Sequence, residues 1–244
     1  MAITPFATLQ SKHGHRTVLG YDFHALFGDL AQRDEADVAI VSTEEGFSPL
    51  GGSRDFFERD LNISYDGEIK PLANWNRFEN ERVTLVALAS RREGSLFRGV
   101  ILAPSETARC YEQLATPFHG LPHRSFYYNV TYEAIAYACR EWGARKLAIS
   151  HLSGCGSFHE DIATCHAEAL AHFCDAEPES APDSFVFCGC CINEDHLKGI
   201  RRLNAEGKLT SHHPISVTME SKGEARLIHL SWQKQKSMGS DCSQ

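Results

Sequence analysis

The chain has little that would suit it to a membrane or to nucleic acid. No apolar run approaches the ~18 residues that a transmembrane helix needs. Basic residues are outnumbered, 24 Lys and Arg against 32 Asp and Glu, for a net charge of −8. A general nucleic-acid binder needs a basic face, so this balance argues against that class while leaving room for a local positive pocket. The opening MAITPFATLQSKHGHR has no signal-peptide core, and a cytoplasmic location is expected. There is no internal repeat, and no second Cys-x-x-Cys accompanies Cys188-Gly-Cys-Cys191. Zinc sites normally draw on two spaced ligand pairs, and adjacent strand residues point to opposite faces. Buried packing rather than a metal is therefore expected there. The remaining cysteines of the nine fall mostly inside apparent helices or strands and read as small buried hydrophobes in a reducing compartment. Asn129-Val-Thr131 matches a glycosylation acceptor that has no meaning without secretion.

What is present is an ordinary globular composition, 42% hydrophobic and 23% charged. Thr17-Val-Leu19 is the best strand piece among early edge strands and loops. Val38-Ala-Ile-Val41 is short, continuous and β-branched, which suits a buried parallel strand. Val83–Leu88 and Val100–Ala103 are further strands. A short helix is expected near Ser53 with Phe56, Phe57 and Leu61 on one side, then an irregular excursion over 62–80 anchored by Trp75 and Phe78. Residues 106–114 read as a short helix. A longer helix should begin at Asn129 or Thr131, with Ala134, Ile135, Ala138, Cys139 and Trp142 on one stripe and Gly143 at its end. Residues 176–183 read as a surface linker, Phe185–Cys188 as a strand, and 193–203 as a helix capped by Asn193. Pro214–Glu220 and Glu224–Trp232 alternate as two strands of a hairpin turning at Lys222-Gly223. His212, His213 and His229 near this hairpin read as surface residues. The last twelve residues are a polar tail.

The stretch Lys146–Cys174 organises the chain. Lys146-Leu-Ala-Ile-Ser150 has the length of a buried strand. Ser153-Gly-Cys-Gly-Ser157 is a small flexible turn, and Ile162, Cys165, Ala169, Leu170, Phe173 and Cys174 then recur at helical spacing. Ser157 and Glu160 fit a capping box. Strand, glycine turn and helix N-terminus can form an anion site, because glycine lets backbone N–H groups approach and the helix dipole favours negative charge. A tight turn without a ligand would show the same pattern. Alternating strands and helices from 38 to 204 argue for a mostly parallel sheet covered on both faces. Ligands in such sheets sit at the carboxyl ends of the strands, so the loops after Val41 and Ser150 should share one crevice.

In that order and spacing the chain resembles a divergent macrodomain, the fold that binds ADP-ribose. The likeness rests on Gly28-Asp29-Leu30 before Asp37–Ser42, Gly51-Gly52 before a helix, Tyr132–Gly143, Lys146–Ser150, Ser153–Phe158 with its helix, and 184–204. It implies a three-layer α/β/α sandwich with a mixed, mostly parallel sheet, spanning 1–232 as one domain with its core at about 28–204 and a C-terminal β-hairpin at 213–232. It further implies a small nucleotide such as ADP-ribose as partner, and neither cofactor nor metal. Asp29 would accept from an adenine amino group. Gly51 and Gly52 would approach the diphosphate and proximal ribose. Ser153, Gly154, Cys155, Gly156 and Ser157 would wrap the diphosphate, and Phe158 would pack on ribose or adenine. Where the family has an Asn-rich loop this chain has Ser42-Thr-Glu-Glu45.

Binding of ADP-ribose or a related nucleotide diphosphate is thus the leading expectation. Two others stay open: a hydrolase of ADP-ribosyl derivatives acting through Glu44, Glu45 or Cys155, and a scaffold domain without a ligand. Cys155 lies at a helix N-terminus with His151 and His159 near it, where a thiol can be activated. Glu44 and Glu45, with Asp55, could support acid–base work, or be solvated loop carboxylates. The sequence leaves the oligomeric state open.

Overall fold

Continuous apolar runs bounded by breakers become the strands of one sheet. The structure, a computed structural model, describes residues 3–22, 30, 34–43, 56–74, 82–95, 97–104, 123–150, 159–188 and 215–232. Strands β1 (Thr4–Gln10), β2 (Arg16–Asp22), β3 (Val38–Thr43), β4 (Arg82–Ala89), β5 (Gly99–Pro104), β6 (Lys146–Ser150), β7 (Ser184–Cys188), β8 (Ile215–Lys222) and β9 (Ala225–Trp232) join in the order β1-β2-β7-β6-β3-β5-β4-β9-β8. β2, β7, β6, β3 and β5 are mutually parallel. β1 is antiparallel to β2, and β4, β9 and β8 continue the other side antiparallel. The sheet is mixed with a parallel centre.

Helices α1 (His123–Trp142) and α2 (His159–Ala176) cover one face. Ile40, Ile101, Leu147, Ile149, Phe185 and Leu230 point into that layer with Tyr127, Ile135, Leu170 and Phe173. The alternate residues, among them Ala39, Val41, Leu102, Ala148 and Val186, face a second cluster with Leu30, Phe57, Leu61, Ile63, Ile69 and Leu72. That other layer contains π-helical turns at Phe56–Asp60 and Tyr65–Ile69 and a 3-10 turn at Lys70–Asn74. Burial on both sides of the strands is what produces runs rather than alternation in the sequence.

Several expectations are corrected. α1 begins at His123, not at Asn129 or Thr131. Residues 125–130 are all buried, so that portion has no polar side and no stripe to read. Of the expected stripe, Ala134, Ile135, Ala138 and Cys139 are buried and Trp142 is partly buried against them, and α1 ends before Gly143, whose φ is 60°. The segment 176–183 is not simply a surface linker. Ala181 and Pro182 are buried, and the Pro182 carbonyl accepts from Thr17 Oγ1 at 2.7 Å, with His15 Nε2 at 3.0 Å. The hairpin turns at Gly223-Glu224 rather than Lys222-Gly223, since Lys222 pairs with Ala225. Only Gly223 of the two has positive φ, the pattern of a type II′ turn. The helices expected at 106–114 and 193–203, and the anchors Trp75 and Phe78, lie outside the described residues.

Candidate functional site

The parallel centre of the sheet has one edge at which the chain leaves every strand. β2 leaves it at Asp22, β3 at Thr43, β5 at Pro104, β6 at Ser150 and β7 at Cys188. Ser150 is in register with Cys188, and Cys188 with Asp22, so these ends form a row. β3 and β6 are direct neighbours, paired through Val38–Leu147, Ala39–Ala148 and Ile40–Ile149. From β3 the chain moves toward β4 and β5 on one side. From β6 it passes through α2 to β7 on the other. Between two such strands the connections diverge, and in open α/β sheets a crevice forms outside their carboxyl ends. The strand axes are about 4.8 Å apart.

Local packing holds these ends in place. Thr43 is buried and its hydroxyl donates to the Ala103 carbonyl at 3.2 Å. The buried Cys188 thiol lies 3.5 Å from the Ile149 carbonyl. α2 opens at His159, after the segment 151–158 has left Ser150, and its far end leads through 177–183 into the start of β7. Its N-terminus therefore belongs to the carboxyl-edge side, where its dipole is positive.

The opposite edge sets the register on which the crevice depends. Asp37, just before β3, accepts from the backbone N–H of Arg145 at 2.9 Å (Oδ2) and of Lys146 at 3.0 Å (Oδ1). Its own N–H donates to the Lys146 carbonyl at 2.8 Å, and its carbonyl accepts from Arg98 N–H at 2.6 Å. One side chain thus ties the starts of β3 and β6, and its backbone reaches the residue before β5. The sequence reading placed Asp37 in the motif but gave it no role. An aspartate directly before a continuous apolar strand was the available signal.

Asp29, Glu44, Glu45, Gly51, Gly52 and Ser153, Gly154, Cys155, Gly156, Ser157 and Phe158 all lie outside the described residues. They occur in the segments that begin at Asp22, Thr43 and Ser150, the carboxyl ends of β2, β3 and β6. Of the cysteines, Cys139, Cys165, Cys174 and Cys188 are buried thiols. Burial pushes the Cys139 thiol up to about 12 and raises that of Cys174, against the Thr17 hydroxyl contact. These thiols are packing groups. Cys190 and Cys191 lie outside the described residues, among which no cluster of His, Cys, Asp and Glu suits a metal ion. No helix among them is long and apolar enough to cross a membrane.

The seam between the helices carries polar pairs that the sequence reading missed. Thr131 Oγ1 meets His166 Nδ1 at 2.7 Å, and Tyr128 hydrogen-bonds His172 Nδ1. Burial raises the Tyr128 phenol above its ordinary range and lowers the His172 imidazole. The buried Asn129 side chain donates to the Ser125 carbonyl at 2.8 Å, so the Asn-Val-Thr sequence is a helix interior and not a surface acceptor. His229, expected at the surface, is buried on β9 against Thr84.

Comparison with solved structures shows a macrodomain-like fold. A mutant of the Oceanobacillus iheyensis macrodomain matches with a TM-score of 0.55 at 10% identity, over 85% of this chain and 100% of that one. The same macrodomain with MES bound matches at 0.52 and 9%, over 84% and 98%. The form with ADP matches at 0.51 and 9%, over 85% and 100%. No protein-family sequence model matches the chain. No curated protein matches it.

Proposed function

We propose that the chain binds ADP-ribose or a related nucleoside diphosphate in the crevice at the carboxyl ends of β3 and β6. The observation that carries this reading is the pairing of β3 with β6 at the point where the chain's connections diverge. The segments that follow these strands contain Gly51-Gly52 and Ser153-Gly-Cys-Gly-Ser157. Glycine-bearing turns let successive backbone N–H groups converge on an anion, and a helix N-terminus adds favourable potential. A macrodomain of the same fold with ADP bound supports a nucleotide as the ligand. In this reading residues 153–157 hold the diphosphate, Gly51 and Gly52 allow its close approach beside the proximal ribose, and Asp29 and Phe158 take the adenosine end.

The test is isothermal titration calorimetry with ADP-ribose, using ADP and ribose 5-phosphate as comparisons. Gly154→Val places a branched side chain where a phosphate would meet the backbone, and should weaken binding by at least about tenfold, ~1.4 kcal/mol. Thermal stability measured on the same variant separates lost binding from lost fold. Absence of binding heat for the unaltered chain at about 1 mM ligand, the threshold of ~4 kcal/mol affinity, would sink the proposal.

A further inference from the structure

A different part of the sheet carries a device that the nucleotide reading does not use. β9 joins the edge strand β8 to β4, and Thr84, His229 and Thr218 are cross-strand neighbours on β4, β9 and β8. The His229 ring spans all three strands. Its Nδ1 is 2.8 Å from Thr84 Oγ1, and its Nε2 is 3.4 Å from Glu220 Oε1 on β8. The residue is only 3% exposed, although it sits one strand from the sheet's edge. Nε2 is buried without a hydrogen-bond partner among the described residues, so the hydrogen bond that holds the ring is the one between Nδ1 and the Thr84 hydroxyl. We propose that His229 is a pH-sensitive latch, closing the β8–β9 hairpin onto β4 when neutral and loosening it on acidification.

Protonation makes both ring nitrogens donors, so the Thr84 hydroxyl must accept at Nδ1 and Nε2–H is left buried without an acceptor in hydrogen-bond geometry. It also creates a charge in a closed site. Among the described residues the charged groups acting on the ring are Arg82 of β4, which repels that charge, and Glu220 of β8, which attracts it. The Glu220 side chain is 52% exposed, so water screens its attraction. Burial is the largest influence and holds the imidazole below its ordinary 6.5. The sign follows. In the open hairpin His229 takes up a proton near 6.5, while the closed hairpin refuses it. The closed form is favoured above that pH, and the advantage is lost as pH falls toward the depressed value.

The experiment is an NMR titration of His229 combined with amide exchange of 215–222 and 225–232, from about pH 7.5 to about pH 5. Rates are referenced to amides of β3 and β6, which removes the intrinsic pH dependence of exchange. Hairpin protection should fall by up to about tenfold for each unit by which His229 titrates below 6.5. His229→Gln should abolish that dependence. Glu220→Gln, at an exposed carboxylate, removes the attraction for the proton and should deepen the loss; this variant keeps the test alive if His229→Gln does not fold. Titration of His229 at or above 6.5, or a pH-dependent loosening that persists in His229→Gln, would overturn the proposal.

Discussion

Removing the Asp37 carboxylate should destabilise the chain more than any charged group on its surface, and the size of the effect can be worked from the contacts. Both carboxylate oxygens accept backbone N–H groups, at 2.9 and 3.0 Å, and the residue is only 8% exposed. A hydrogen bond to a charged acceptor contributes about 1.5–3 kcal/mol, and an orphaned donor costs a similar amount. The two bonds share one side chain and are not additive. Water can reach part of the vacated space at the sheet's edge. Asp37→Ala should therefore cost about 3 kcal/mol. Asp37→Asn keeps one accepting oxygen but sets its amide N–H against the other backbone N–H, and should cost about as much. In a protein of this size 3 kcal/mol lowers the melting temperature by roughly 6–12 °C. Urea unfolding with an unchanged m-value would show that the loss belongs to the folded state. Arg98 Nε is 3.8 Å from the carboxylate and half exposed, so screening makes its share small. A cost below about 0.5 kcal/mol for Asp37→Ala would refute the idea that this carboxylate fixes the β3–β6 register.

Gly99→Ala would place a Cβ 2.5 Å from the Leu88 carbonyl and 2.8 Å from the Trp142 ring. Backbone on one side and a packed indole on the other leave no easy relaxation, so denaturant unfolding should read a loss of about 2–3 kcal/mol. Gly20→Ala is the control. Its Cβ clashes with the Ile3 Cγ2, a side-chain atom that a rotation of Ile3 can move, and lies at an ordinary 3.6 Å from the Thr4 carbonyl; a loss equal to that at Gly99 would contradict the argument. Cys139, Cys165, Cys174 and Cys188 should resist alkylation at about pH 8 in the native protein and react after unfolding, as peptide mass spectrometry would read, because reactivity follows exposed thiolate. Stoichiometric native labelling of Cys139 would contradict its burial.

The fold was legible where burial and periodicity coincide. Val38–Val41 reads as a strand buried on both faces, and β3 has parallel partners on either side. Val83–Leu88 reads as a further strand and is buried on both faces, yet β4 is antiparallel to both neighbours. A continuous apolar run thus reports that both faces are covered and says nothing of strand direction. The start of α1 was hidden for a related reason. Phe126, Tyr127 and Val130 are buried with Asn129 and Thr131, and the polar members are satisfied inside the fold, Asn129 by Ser125 one turn back. Thr131 reaches His166 on the other helix. His229 was misread because alternation in a terminal hairpin suggests a solvent face, whereas β9 is enclosed between β4 and β8.

The candidate site was legible as a set of segments rather than as an assembly. Glycines, strand ends and a helix start are local signals, and each is common by itself. What gives them a shared position is strand order, which no local pattern encodes. β6 follows β5 in sequence but pairs with β3, so the segments after Thr43 and Ser150 leave one edge of the sheet side by side. Asp37 is the residue through which sequence acts on that arrangement, since its carboxylate meets Arg145 and Lys146 from more than a hundred positions away. A change there would leave every glycine of the two segments untouched and still disturb the strand ends that carry them. If the crevice holds a nucleotide, Asp37→Asn should therefore weaken ADP-ribose binding in calorimetry although it lies at the opposite edge of the sheet. Unchanged affinity in a measurably destabilised Asp37→Asn protein would separate the register of β3 and β6 from the site built on their ends.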